Sequence, residues 1–174
     1  FKGEITRFKN KKFIFIEDNS LQKFSELAFY NIAHFLRPSH LNKLKKILND
    51  KNASNNDKYV ALTLLKNANT SAGGILPMCQ DTGTPIILAK KGMNIITSGK
   101  DAYYLSKGIY NCYLKNNLRY SQVAARDMYN EKNTRNNLPA QVDIYSEGTN
   151  EYQFLFIAKG GGSANKTFLY QATP

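Results

Sequence analysis

The sequence of 174 residues predicts an α+β protein, in which a helical N-terminal half is followed by β-hairpins with flanking helices. Apolar residues recur at helical spacing in three successive segments before residue 70. After residue 85, β-branched and aromatic residues instead form short runs bounded by glycine and asparagine. Helices first and strands later are typical of α+β proteins rather than of a doubly wound parallel sheet.

The helical half follows a short strand predicted at residues 12–16. The first helix is capped by Asn19 and Ser20 and is expected to stop near Arg37, because Pro38 disfavours helical geometry in the residue before it. Pro38 opens a second helix and Asp57 starts a third. The apolar faces consist of Leu21, Phe24, Leu27, Ala28, Ile32 and Phe35 in the first helix, Leu41, Leu44, Ile47 and Leu48 in the second, and Val60, Ala61, Leu64, Leu65 and Ala68 in the third.

The second half contains the predicted strands. Residues 86–89 form a short buried strand, onto which residues 93–97 are expected to pair back. Asp101 caps a fourth helix, whose apolar face consists of Ala102, Leu105, Ile109 and Cys112. Residues 138–145 and 152–158 are predicted to be the two arms of a hairpin, and Ser163 caps a last helix.

The composition limits the possible partners. The net charge is +11 and the isoelectric point is near 9.6, which is compatible with nucleic acid or another anionic partner. Lysine and asparagine are enriched together in polar stretches, however, and the A/T-rich codons of both residues explain the same bias; we therefore expect no nucleic-acid partner. No run approaches the roughly 20 apolar residues of a membrane span, and two cysteines suit a reduced intracellular compartment.

Residues 76–85 form the most distinctive stretch. Cys79 lies between Pro77 and Pro85 and is followed by Gln80 and Asp81, in a segment with neither helical nor strand periodicity. Prolines stiffen such a loop, and loops between regular elements commonly carry binding groups. The polar neighbours make a ligand or nucleophile about as plausible as a structural thiol. Cys112, on an apolar helix face, is interpreted instead as a small core residue.

A glycine-rich segment at residues 158–167 is the second distinctive stretch. A strand, three glycines and a helix start present backbone N–H groups to an anion. The segment nearly matches a P-loop, with Gly160 as first glycine and Lys166–Thr167 at its end, but Asn165 replaces the second glycine.

Arg119 is a further candidate site residue. It follows a helix end, where its side chain is either a solvated charge or a bidentate ligand for a carboxylate.

Together these residues resemble the N-terminal region of the class I, iron–sulfur-dependent fumarate hydratases of the single-chain type. The resemblance runs in order from about residue 21 to the C-terminus, and its most specific parts are residues 79–83 and 159–167. The other matching stretches are residues 35–38, 56–62, 117–122 and 137–143. The related L-tartrate dehydratases share the cysteine loop in a looser form and are the alternative; a nucleotide-binding module at Gly160 to Thr167 is another.

The resemblance implies a [4Fe-4S] cluster held by three cysteines, of which Cys79 is the first and the other two lie beyond Pro174. The open iron is expected to act as a Lewis acid on the hydroxyl of malate. Asp81 is implied as a catalytic residue. The substrate-binding residues implied by the resemblance are Gln80, Asp81, Arg119, Gly162, Asn165 and Lys166.

For the chain itself, the resemblance implies that residues 1–174 are an N-terminal domain or fragment that lacks the C-terminal catalytic half. We expect it to be inactive alone and to carry no intact cluster. The full-length protein is expected to be a homodimer that interconverts fumarate and (S)-malate, in the mitochondrion or the cytoplasm, with the mitochondrion favoured. Pro85 departs from the family, which more often has a small residue there.

Overall fold

The computed structural model describes residues 3–78, 83–160 and 168–173. In these ranges the chain forms helices and strands in the order β1 (Gly3–Phe8), β2 (Lys11–Ile16), α1 (Asp18–His34), α2 (Pro38–Leu48), α3 (Asn55–Ser71), β3 (Thr84–Gly92), β4 (Ile95–Ile96), α4 (Asp101–Lys115), β5 (Val123–Ala125), β6 (Glu131–Asn133), β7 (Gln141–Glu147) and β8 (Tyr152–Lys159). Helices precede most of the sheet, so the predicted α+β class is confirmed.

The core lies between α1, α4 and one face of the sheet formed by β3, β7 and β8. Gly108 lets the two helices approach closely, because a Cβ atom there would overlap the carbonyl oxygen of Gln22. Leu105, Ile109 and Cys112 on α4 are fully buried in the core, as the helical spacing predicted, and Tyr113 is buried beside them. Ala102, predicted on the same face, is exposed. Edge-to-face contacts join Phe24 of α1 to Phe154 and Phe156 of β8.

The helix boundaries differ slightly from the predictions. Helix α1 ends at His34 rather than near Arg37, because the backbone is already extended at Phe35. Helix α2 begins at Pro38, as predicted. Helix α3 begins before Asp57, because Ser54 caps it and Asp57 completes a capping box as the third helical residue.

The predicted hairpin between residues 138–145 and 152–158 is wrong. Strands β7 and β8 form, but both pair with β3, in the order β7-β3-β8. Strand β7 runs parallel to β3 and β8 runs antiparallel. Their connection passes over the end of β3, where Gly92 donates to the carbonyl oxygen of Glu151 at 2.8 Å and Met93 donates to that of Glu147 at 3.0 Å.

The pairing expected between residues 93–97 and the central strand is also wrong. Because β7 and β8 occupy both edges of β3, no edge remains for this segment. Instead β4 pairs in parallel with β2, which forms a hairpin with the unpredicted strand β1. The predicted N-cap Ser163 lies outside the described residues, and residues 168–173 have no regular structure. Within the described ranges, no helix is sufficiently long and apolar to cross a membrane.

Candidate active site

The structure describes the segments that flank the predicted site rather than most of the site itself. Among the predicted residues, Arg119 is described. The others lie outside the described residues: Cys79, Gln80, Asp81, Gly162, Asn165 and Lys166. The immediate neighbours of both motifs are described, and their contacts show how the motifs are connected to the fold.

The cysteine segment and the glycine-rich segment adjoin neighbouring strands. Thr84, at the start of β3, pairs with Lys159, at the end of β8. Gly83 packs so closely that a Cβ atom would overlap the carbonyl oxygen of Lys159 and lie 3.1 Å from the Cα of Gly160. A side chain at Gly83 is therefore sterically excluded. The backbone that follows residues 79–82 contacts the backbone that precedes residues 161–167.

Asn137 connects a third segment to this point. Its side chain is fully buried and its Nδ2 atom donates a hydrogen bond of 2.7 Å to the carbonyl oxygen of Gly83. Its Oδ1 atom accepts from the backbone N–H groups of Ser121 and Gln122, at 3.1 and 2.9 Å. Thr84 Oγ1 adds a hydrogen bond of 3.1 Å to Gln122 Oε1. The start of β3 is thus fixed to the segment that follows α4.

Arg119 lies on that same segment, two residues before Ser121. It is exposed, while the preceding Leu118 is buried in the core cluster. Its position after the end of α4 at Lys115 is as predicted. The backbone around Arg119 is therefore fixed on both sides, by Leu118 in the core and by Ser121 at Asn137. An arginine on such a fixed backbone can present its guanidinium group to a carboxylate, which it binds through two parallel hydrogen bonds.

Met78, the described residue before Cys79, is anchored to the end of α1. It is buried, and its N–H group donates to the carbonyl oxygen of Ala33 at 2.9 Å. The adjacent His34 is also buried and donates from Nδ1 to the Tyr30 carbonyl oxygen at 2.8 Å. His40 is exposed on α2.

Cys112 does not fit a cluster ligand. Burial, reinforced by the negative charge of Glu26, raises the pKa of its thiol to about 12. Its side chain is fully buried in the close-packed apolar core, which leaves no room for an iron–sulfur cluster beside it. No group of three or more His, Cys, Asp or Glu residues in the described part of the chain could hold a metal ion. Of the two cysteines in the sequence, only Cys79 remains a candidate ligand.

A second buried polar cluster lies at the opposite end of β3. Asp101 Oδ2 accepts hydrogen bonds of 2.8 Å from Lys91 Nζ and from Tyr152 Oη, and Thr97 Oγ1 donates to Asp101 Oδ1. Burial would raise the pKa of Asp101, but these hydrogen bonds and the charge of Lys91 outweigh it and hold the pKa below its ordinary value. The charges of Lys91 and Asp101 neutralise each other within this group of residues, which links β3 to α4 and β8 and has a structural role.

Sequence reasoning missed the roles of Gly83 and Asn137. Asn137 belonged to a recognised stretch but was assigned no contact of its own. Its backbone φ is +59°, a left-handed conformation that asparagine tolerates better than most residues. A turn-forming asparagine is common in sequences, so only the fold shows that its side chain joins two distant segments.

Comparison with known proteins gives the family. Residues 22–174 match the family described as "Fumarate hydratase (Fumerase)". The chain is 52% identical over 169 residues to "Fumarate hydratase class I, anaerobic" of Escherichia coli (strain K12). The aligned region covers 97% of this chain and 31% of that protein. It is 53% identical over 158 residues to "Fumarate hydratase 2" of Leishmania major, covering 91% of this chain and 28% of that protein.

A second protein of Leishmania major, "Fumarate hydratase 1, mitochondrial", is 52% identical, with 91% of this chain and 29% of that protein covered. The chain thus spans less than a third of the length of these relatives. The family match includes both distinctive stretches, residues 76–85 and 158–167, and the intervening segment with Arg119 and Asn137. On this evidence the chain belongs to the fumarate hydratase family.

Proposed function

We propose that the whole protein is a class I fumarate hydratase that interconverts fumarate and (S)-malate. One structural observation supports this most strongly. The segments that flank Cys79, Arg119 and Gly162 are in contact or hydrogen-bonded at the N-terminal end of β3. Three stretches separated by about 40 residues each along the sequence therefore have a common location, as residues that act on one small substrate require.

The substrate chemistry explains the residue types. Hydration adds a hydroxyl group to one carbon of the double bond and a proton to its neighbour, while both carboxylates stay charged. Binding therefore needs cationic and N–H donors. We assign Arg119 to one carboxylate and the backbone N–H of Gly162 to the other end of the substrate. Gln80 and Asp81 contact the substrate near the reacting carbons, with Asp81 as a catalytic residue. Asn165 and Lys166 complete the set.

A [4Fe-4S] cluster, with Cys79 as one of its three cysteine ligands, would supply the Lewis acid that activates the hydroxyl. The other two ligands would come from the remainder of the whole protein, since Cys112 is fully buried in the apolar core. The anchoring of Met78 to α1 and of Gly83 to Asn137 would hold the cysteine segment from both sides.

Two alternatives are weaker. An L-tartrate dehydratase-like hydro-lyase would use the same cysteine segment on a substrate with one more hydroxyl, but the similar proteins named above are fumarate hydratases. A nucleotide-binding P-loop at Gly160 to Thr167 is disfavoured because the family match runs through this segment. Stabilisation of the protein against heat by ATP with Mg²⁺ would favour the P-loop instead.

The proposal extends to assembly and compartment. We propose a homodimer located in the mitochondrion or the cytoplasm, with the mitochondrion favoured because one similar protein carries that designation in its name. The molecular mass in solution and fractionation of cells test these two points.

Substitution of Arg119 tests substrate binding. In the full-length protein purified without oxygen, Arg119→Ala should raise the KM for fumarate and malate about 10- to 100-fold, because a charge-assisted hydrogen bond contributes about 1.5–3 kcal/mol. The matched control is Arg126→Ala, an exposed arginine near the turn between β5 and β6, which should leave both kinetic constants unchanged. Unchanged kcat and KM in Arg119→Ala would contradict the assigned role.

The two cysteines test the cluster assignment. Cys79→Ala in the full-length protein should abolish the visible absorption of the cluster, whereas Cys112→Ala should retain it. Retention of the cluster by Cys79→Ala would refute the role of Cys79 as a ligand.

The 174-residue chain alone, reconstituted with iron and sulfide, is expected to show no fumarate hydration. Hydration above background would contradict that expectation.

A further inference from the structure

We propose that Asn137 is a positioning residue for the hydro-lyase reaction. Its side chain fixes the position of the cysteine segment relative to the Arg119 segment. The inference rests on the proposed function and extends it to a side chain that has no assigned role. The single observation behind it is that one fully buried amide links the backbone of Gly83 to the backbone of Ser121 and Gln122.

The bonding pattern fixes the orientation of the amide. Two N–H donors face its Oδ1 atom and one carbonyl oxygen faces its Nδ2 atom, so a flipped amide would oppose donor to donor and acceptor to acceptor. A side-chain hydrogen bond also joins Asn137 to Tyr113, a buried residue of α4. All three partners in the two segments are main-chain groups, so the amide positions backbone and not merely side chains.

The backbone conformation limits which residues can replace it. With φ at +59°, position 137 favours asparagine, aspartate or glycine over most other residues. Aspartate keeps an acceptor for Ser121 and Gln122, but it loses the donor and turns a carboxylate oxygen toward the carbonyl of Gly83. Glycine keeps the conformation and loses every side-chain bond. These two substitutions separate the link to the cysteine segment from the link to the Arg119 segment.

The hydrogen bonds of Asn137 matter because Gly83 and Ser121, at their two ends, lie close in sequence to proposed site residues. Gly83 follows residues 79–82 directly, and it packs against Lys159 and Gly160, so a shift at Gly83 would also reach the start of the glycine-rich segment. Ser121 lies two residues after Arg119. A misplacement of about 1 Å between reacting groups is enough to slow an enzyme about a hundredfold.

The experiment uses the full-length protein with its cluster. Asn137→Asp should lower kcat about 10- to 100-fold. It should change KM by no more than about twofold, because the Arg119 segment keeps its two hydrogen bonds. In the same variant, the visible absorption of the cluster should be lost several-fold faster in air than in the wild type, which is a readout independent of turnover. Asn137→Gly should also raise KM.

Asn10→Gly is the matched control. Asn10 also has a left-handed backbone, with φ of +62°, but lies in the turn between β1 and β2. It should leave kcat, KM and the rate of cluster loss unchanged. If Asn137→Asp does not fold, Thr84→Val provides the second test, since it removes only the Thr84–Gln122 hydrogen bond between the same segments. It should lower kcat several-fold.

The outcomes separate this inference from the proposed function. An active wild type, with Asn137→Asp equal to it in kcat and rate of cluster loss, would overturn the role of Asn137 alone. A fall in kcat that only matched the fall in the folded fraction would also overturn it, because partial unfolding lowers the apparent kcat without changing KM and indicates a purely structural residue. A wild type that does not hydrate fumarate would overturn the proposed function itself.

Discussion

The two ends of the central strand β3 are both held by a buried polar side chain, but by different means. At the C-terminal end, the charged Asp101 bonds to the side chains of Lys91, Thr97 and Tyr152. At the N-terminal end, the neutral Asn137 bonds to main-chain groups of distant segments. The first cluster satisfies itself, whereas the second sets the position of the backbone beside the candidate active site.

The difference indicates how the two ends respond to substitution. Loss of a side chain from the Asp101 cluster leaves charged partners unpaired and reduces stability. Loss of the Asn137 amide leaves two backbone segments free to shift against each other, which affects geometry at the proposed site. We therefore expect changes at the C-terminal end to alter stability without altering the reaction, and changes at the N-terminal end to alter both.

The largest difference in fumarate hydration between the two ends of β3 is expected for Gly83→Ala and Gly92→Ala. In each, the new Cβ would overlap a backbone carbonyl oxygen, of Lys159 at one end of β3 and of Thr149 at the other. Overpacking against backbone should lower the free energy of unfolding by about 1–3 kcal/mol in both variants. Only Gly83→Ala should also reduce the hydration of fumarate, by about a hundredfold or more.

Chemical denaturation and the fumarate assay measure these effects. Gly148→Ala is the matched control, because a Cβ atom there meets nothing within 4 Å. If Gly92→Ala impaired the reaction as strongly as Gly83→Ala at equal stability, the distinction between the two ends would fail.

Asp101→Asn is expected to reduce stability without affecting the reaction, which is a smaller overall change than that of Gly83→Ala. The substitution removes one charge from a buried pair, and because the Lys91 side chain is 23% exposed, we expect a loss of about 1–3 kcal/mol at neutral pH. The pKa of Asp101 is lowered by folding, so its stabilising contribution is present above the ordinary value of about 4 and is lost as the pH falls through the lower folded value.

Unfolding curves at several pH values check this prediction. The difference in stability between the wild type and Asp101→Asn should shrink below about pH 4, where the carboxylate becomes protonated first in the unfolded chain and, at lower pH, in the folded protein. A difference that stayed constant across this pH range would show that the charge of Asp101 does not provide the stabilisation.

The smallest effect is expected for Tyr113→Phe. Burial, together with Cys112 nearby, raises the pKa of Tyr113 to about 12, so the hydroxyl stays protonated at neutral pH and hydrogen-bonds with Asn137. Its loss should cost about 1 kcal/mol and reduce kcat only a few-fold, because the three backbone bonds of Asn137 remain. A larger loss of kcat than in Asn137→Asp would mean that Tyr113, not the amide, positions the segments.

Local patterns predicted the helices well but not the partners of the strands. The apolar spacing of Leu105, Ile109 and Cys112 specifies a helix face and the core role of Cys112 without reference to the rest of the chain. Strand pairing depends on competition for edges: β7 and β8 are adjacent in sequence, yet β3 lies between them. No periodicity in either strand encodes that choice.

In the candidate site too, local patterns predicted some features, whereas contacts between distant residues could not be predicted. Cys79 and the glycine-rich segment were identified from residue type and spacing, since their chemistry is local. Their common location depends on the pairing of Thr84 with Lys159, and the link to Arg119 depends on a buried amide at Asn137. Both are contacts between residues far apart in the sequence, so residue type alone does not reveal them.

Hydrogen–deuterium exchange of the full-length protein with and without malate tests most directly whether the substrate binds at the N-terminal end of β3. Malate should slow exchange in peptides that cover residues 76–84, 117–122 and 158–168. It should leave residues 91–101 and 147–152, at the opposite end of the strand, unchanged. Protection confined to the Asp101 end, or absent from all three segments at the other, would contradict the account.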